Sequence, residues 1–144
     1  MKFLKRSILA AFVLLILIQL VPVNRSNPPV MGEVVAPDAV GEVLRSSCYD
    51  CHSYETRWPW YSRVAPISFL LADHVHEARD DLDFSRWPTF DFGAQEEIYR
   101  EIGKEIRQGK MPLPSYLWLH GDARLSEEDQ KILLDWARVD PEGE

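Results

Sequence analysis

The chain contains two cysteines, Cys48 and Cys51, and the second is followed directly by a histidine, His52. Cys48-Tyr49-Asp50-Cys51-His52 is the order that attaches a c-type haem. Each thiol adds across one vinyl group to form a thioether, and the adjacent imidazole is held beneath the iron. On this reading the short chain is expected to fold around a flat apolar macrocycle, which would supply much of the core that it otherwise lacks. With no further cysteine, neither a disulfide framework nor an all-cysteine zinc site can be built. Two other readings of the motif stand beside haem. A thioredoxin-like dithiol expects a βαβ pattern around the pair, whereas the flanks here read as helical. Zinc would need Cys48, Cys51 and His52 on one tetrahedral ion, with a fourth ligand from His74, His76 or His120.

The amino terminus predicts export. Lys2, Lys5 and Arg6 precede an uncharged apolar run over residues 7–23, the layout of a secretory signal or an uncleaved anchor. Val21-Pro22-Val23-Asn24 offers no small-x-small cleavage site, which favours an anchor over residues 1–24; a cleaved signal peptide is the alternative. Basic residues before the run place the amino terminus in the cytoplasm and the rest outside. The expected location is the cell inner membrane, single-pass with the domain in the periplasm, or the soluble periplasm after signal cleavage.

Residues 25–36, with Asn27-Pro28-Pro29 and Gly32, lack periodicity and read as a tether. The folded unit is expected over residues 37–140, enough for one small core. Residues 26–144 carry twelve basic against twenty-three acidic side chains, a net of −11. That balance argues against nucleic acid as a partner. It fits a solvated surface, or one that steers encounter with a basic redox protein.

Helical signals recur through the domain, and no stretch alternates long enough to predict a strand, so the expected class is all-α. Asp38 is placed to cap a helix with Val40, Val43 and Leu44 on one face, running into Cys48. Pro66 opens a second, with Ile67, Leu70, Leu71, His74 and Ala78 at helical spacing. A third covers roughly residues 94–108, with Ile98, Ile102 and Ile106 four apart and Gly109 at its end. Ser126 and Asp129 form a capping box for a last helix presenting Ile132, Leu133 and Trp136.

The sixth iron ligand decides between electron transfer and small-molecule reactivity. Met111, in Gly109-Lys110-Met111-Pro112-Leu113-Pro114, sits on a proline-stiffened loop that could present its sulfur at a fixed position, or it could pack as core filler. His74, on the apolar side of its helix, is a rival, and His120, in a loop, ranks third. Arg57 and Arg63 flank Trp58, Trp60 and Tyr61, an arrangement that could clamp porphyrin and neutralise its propionates or be ordinary core and surface. A backbone carbonyl near Pro59 or Pro66 is expected to accept the second ring N–H of His52.

Several stretches together resemble the small haem-binding domain family of bacterial exported proteins, related in layout to class I cytochromes c. They are Cys48 to Ser53, Thr56 to Tyr61, Val64-Ala65-Pro66, His74-Val75, Asp83 to Trp87, Lys110 to Leu113 with Tyr116, Leu119-His120, and Leu125 through Trp136. The resemblance covers nearly all of residues 44–138. It implies a small cytochrome c-like helical domain around one haem c, covalently attached through two thioethers, after an amino-terminal anchor or signal helix. It also makes Met111 the leading axial ligand beside His52, and electron transfer without catalysis the leading activity. The alternatives are a haem-based sensor or small-molecule binding module with an open or weakly held sixth site and, third, a peroxidase using His74.

Overall fold

An apolar stretch with no charge between Arg6 and Arg25 satisfies its own backbone as a helix once it leaves water. In the computed structural model, which describes residues 2–137, α1 (Lys2–Leu17) continues through a 3-10 turn to Leu20. Lys2–Leu20 has a mean hydropathy of 2.1 and none of it is buried against the rest of the protein. At ~1.5 Å per residue it extends about 28 Å, against ~30 Å of hydrocarbon. It is long and apolar enough to cross a membrane, and its place at the amino terminus suits a signal peptide equally.

The domain is all-α. It consists of α2 (Asp38–Ser47), α3 (Tyr49–His52), α4 (Ile67–Asp81), α5 (Phe92–Arg107) and α6 (Glu127–Trp136), joined by short 3-10 turns. Among the described residues the one strand-like feature is an isolated parallel bridge between Gly32 and Arg86. The expected carboxy-terminal boundary at 140 lies outside the described residues. α6 packs on α2 and α5, while α3 and the turn Trp60–Arg63 pack on α4.

Val40, Val43 and Leu44 form the buried face of α2, as their spacing predicts, and meet Tyr49, Phe84, Trp87, Ile106, Leu133 and Trp136. Leu44 and Leu133 are 0% exposed. Rings run through this core in sequence. Tyr49 stacks on Phe84 at 5.2 Å between centroids, Phe84 on Trp87 at 6.3 Å, and Tyr99 meets Trp136 edge-on at 4.9 Å. Such pairs each contribute about 0.5–1.5 kcal/mol beyond their burial.

Caps fix where the helices begin. Pro37, rather than Asp38, occupies the cap position of α2, and Asp38 lies in the first turn, where its charge favours the amino-terminal end of the helix dipole. Asp91 caps α5 by accepting the Ala94 N–H at 2.9 Å, so that helix starts two residues before Ala94. Before α6, Ser126 Oγ accepts the Asp129 N–H at 3.1 Å and the Asp129 carboxylate accepts the Ser126 N–H at 2.9 Å. These bonds hold the Asp129 carboxyl below its ordinary value, so the box is complete above the carboxylate range and is lost as pH falls through it. Ser126→Ala is expected to lower stability by about 1 kcal/mol, read as a shift in the urea midpoint with unchanged slope.

Two expectations are corrected. α4 buries Ser68, Ala72, Val75 and Arg79, and leaves Ile67 and Leu70 49% and 58% exposed. The small Ser68 and Ala72 let α4 approach α3 and the turn Trp60–Arg63 closely, and Arg79 is tolerated inside because each of its three guanidinium nitrogens donates a hydrogen bond. Its Nε donates to Ser53 O at 2.9 Å, its Nη1 to Ser26 O at 3.0 Å, and its Nη2 to Asn27 Oδ1 at 2.8 Å and Thr56 Oγ1 at 2.9 Å.

Those bonds also show that residues 25–36, though without regular structure, are held along the domain. Asn27 Nδ2 donates to Thr56 O at 2.9 Å, and the Met31 and Gly32 N–H groups donate to Ser85 O at 2.9 and 3.3 Å. Gly32 passes so close to Pro88 that a Cβ would stand 2.5 Å from its Cγ. Val34 and Ala36 pack against the core.

Candidate haem centre

α2 ends where the motif begins. The Cys48 N–H donates to Leu44 O at 2.9 Å, and the chain then makes one further turn, with the Cys51 and His52 N–H groups donating to Cys48 O at 3.1 and 2.9 Å. The Phe84 N–H donates to His52 O at 2.8 Å, tying this turn to the core.

The His52 ring is fixed by the carboxy-terminal end of α4. Nδ1 lies 2.9 Å from Ala78 O and 3.1 Å from Leu82 O. Both partners are acceptors, so Nδ1 carries the proton and Nε2 keeps its lone pair. Ala78 O already accepts the Leu82 N–H at 2.9 Å and takes the ring through its second lone pair, while Leu82 O lies just past the last turn, where carbonyls lack helical donors; the acceptors thus come from this end of α4 and not from the segments near Pro59 or Pro66 that the sequence suggests. Burial pushes the His52 pKa below its ordinary value, against the opposing effect of those two bonds. The ring is therefore neutral, the form that binds metal.

A cavity of about 520 Å³ opens beside this ring, within the ~300–1,000 Å³ typical of small-molecule and cofactor sites. Cys48, His52 and Met111 line it; Leu44, Phe84, Ile98, Ile102, Ile106 and Leu125 give it apolar walls, and Asp81, Glu97, Glu101 and Glu105 add carboxylates. Met111 is delivered by a tight helix ending. Gly109 adopts φ +63°, its N–H donates to Ile106 O at 3.0 Å, and the Lys110 N–H donates to Glu105 O at 3.0 Å. This paired-bond ending needs a left-handed residue, which glycine supplies without strain, and it turns the next residue back toward α5.

The remaining candidates lie elsewhere. His74 is half-buried on α4 and is not among the residues lining the cavity. His120 stacks on Tyr116 at 4.1 Å and lies within 3.3 Å of the Tyr61 hydroxyl, in a neighbouring pocket of about 10 Å³ that also holds Cys51. Of the two cysteines and the histidine of the motif, Cys51 is thus the one outside the large cavity. Arg57 pairs with Asp50 through two contacts of 3.2 Å, and Arg63 is exposed. Neither lines the cavity, so the structure does not bear out their assignment to propionates.

The donor set discriminates among the readings of the motif. Among the described residues, no three His, Cys, Asp or Glu side chains are grouped to hold a metal ion, which disfavours the zinc site. Burial raises the Cys48 thiol to about 12, and burial with the Asp50 charge raises Cys51 to about 11. A redox dithiol needs the opposite, a depressed thiol. One thiol, one neutral imidazole and one thioether on an apolar cavity fit an iron porphyrin.

The sequence model of the haem-binding domain matches residues 13–139. The chain belongs to the haem-binding domain family. It is accordingly a haem-binding protein. The match begins within α1 and includes residues 25–36, which the structure packs along the domain. No curated protein and no solved structure matches the chain significantly.

Sequence reasoning missed Arg79, the largest buried polar side chain near the site, and the Ala78 and Leu82 carbonyls. Arg79 continues the Ser68, Ala72, Val75 spacing, a signal hidden by the more apolar Ile67 and Leu70 beside it.

Proposed function

We propose that this haem-binding protein is a monohaem electron carrier of the c type, exported and held at the outer face of the inner membrane. In this reading Cys48 and Cys51 hold the macrocycle through two thioethers, and His52 and Met111 are its axial ligands. The observation that supports it is the convergence of Cys48, His52 and Met111 on one apolar cavity, with His52 and Met111 separated by most of the domain's sequence. When bound, haem supplies a one-electron iron couple, at a higher potential with a thioether ligand than with a second imidazole.

The chain's own groups set the conditions. Nδ1–H of His52, donating to the two carbonyls, fixes the tautomer and raises the basicity of Nε2. The aliphatic walls keep water from the site and lower its dielectric. Glu97, Glu101 and Glu105 stand on α5 beside the cavity, each paired with a basic neighbour, Arg100, Lys104 and Lys110, so it is the net charge of −11 over residues 26–144 that suits encounter with a basic redox partner. No substrate pocket or acid–base residue is required, so the reading assigns no catalysis.

Met111→Ala tests the ligand set. Protein matured with the haem-attachment machinery is expected to lose its ferric sulfur-to-iron charge-transfer band and, when reduced, to bind carbon monoxide rapidly, while the parent does so poorly. An unchanged spectrum would remove Met111. Rapid, complete carbon monoxide binding by the parent would replace the carrier with a sensor or small-molecule binding module.

A further inference from the structure

α4 turns Ser68, Ala72, Val75 and Arg79 inward and leaves Ile67 and Leu70 outward, and Ile67 opens the helix two residues after Ala65, where α1 joins the domain. Gln19, at the end of the apolar helix, accepts the Ala65 N–H at 2.9 Å through Oε1 and donates through Nε2 to Ala65 O at 3.1 Å. A few residues on, Arg25 Nη1 donates to Ser62 O at 3.1 Å. The segment leaving the helix is thus fastened along residues 62–65, and a bilayer around α1 would end beside them.

Trp60, Val64, Ile67 and Leu70 flank that junction, and all four are exposed, Trp60 to 79%. Trp118 and Leu119, also exposed, adjoin His120, whose ring meets that of Tyr61 at 6.1 Å. Arg63 is exposed within the same stretch. Outward tryptophan, aliphatic residues and arginine at the end of a hydrophobic span are what the interfacial zone of a membrane accepts. The indole sits at headgroup level, the aliphatic side chains reach below it, and guanidinium meets lipid phosphate.

We propose that this surface rests in the interfacial layer of the membrane that α1 spans, so that the domain is seated on the bilayer instead of swinging free above it. The occupant is lipid. The proposal rests on α1 being retained as an anchor and adds to that reading a fixed orientation of the domain.

The full chain, reconstituted in vesicles of phosphatidylethanolamine and phosphatidylglycerol, provides the test. A benzophenone amino acid is placed singly at Trp60, Ile67 or Leu70, at Leu14 within α1, and at Lys131 on the exposed side of α6. After irradiation, lipid adducts are counted by mass spectrometry. Positions 60, 67 and 70 are expected to give several-fold more lipid adduct than position 131 and to approach position 14. Adducts at 14 with only the level of 131 at 60, 67 and 70 would overturn the seating and leave the anchor intact. Cross-links from 67 or 70 to a second protein chain would overturn it in favour of a protein interface. An absence of adducts at 14 would overturn the anchor reading and the seating with it.

Discussion

Alanine at both Cys48 and Cys51 is expected to abolish covalently bound haem completely, leaving a chain whose denatured mass equals that of the bare polypeptide. The parent, expressed with the attachment machinery, should be heavier by one haem and keep its colour through acid-acetone extraction. This follows from the proposed thioethers and from His52 facing the same cavity as Cys48. The single variants report further. Cys48 lines the large cavity while Cys51 points into the small pocket beside Asp50 and Tyr116, so Cys51 has the greater rearrangement to make when its thioether forms. Cys51→Ala is expected to keep one thioether through Cys48. A colourless parent of unmodified mass would end the c-type reading while leaving haem binding by the family domain in place.

Arg79→Ala is expected to be the most damaging substitution outside the site, at about 1–3 kcal/mol for each buried acceptor left unpaired against a total of ~5–15 kcal/mol for a typical domain. Arg79 is 8% exposed, and its loss strands acceptors on Ser26, Asn27, Ser53 and Thr56. It also removes a positive charge on which Asp83, a carboxylate with no exposed surface, acts electrostatically. Arg79→Lys should recover only part of the loss, because an ammonium keeps the charge but not the planar fork that reaches several acceptors at once. Urea unfolding of the full chain in detergent would measure both variants. A change within ~0.5 kcal/mol, as for an ordinary surface site, would show that the latch contributes nothing.

The parts of this fold legible from sequence are those whose cause is local. Gly109 ends a helix because it can adopt a positive φ, Ser126 and Asp129 make a reciprocal cap three residues apart, and Val40, Val43 and Leu44 share a face by periodicity alone. The motif at 48–52 is equally local, since the chemistry fixes the order of its residues. Met111 was legible as a candidate because two prolines stiffen its loop.

What escaped was set by partners distant in the chain. Arg79 is satisfied by groups 23 to 53 positions away, and no window of sequence shows that Ser26 and Asn27 will be there to meet it. The same bonds turn a segment with the composition of a tether into a strap along the domain. Hydropathy alone points to the wrong inward face of α4, because Ser68 and Ala72 face inward for their size. His52 has its acceptors at the far end of α4 for a related reason: helix ends expose carbonyls, but which end lies against which ring is settled only by packing.

The length of α4 has its own consequence. Ile67 opens the helix and Asp81 closes it at the cavity, 15 residues in all, a rise of about 21 Å at ~1.5 Å per residue. On the proposed seating the first turn of α4 rests on lipid and its last turn meets His52, but Cys51 shares a pocket with Tyr61 and His120, the neighbours of Trp60 and Leu119, so the Cys51 edge of the motif would lie close above the lipid.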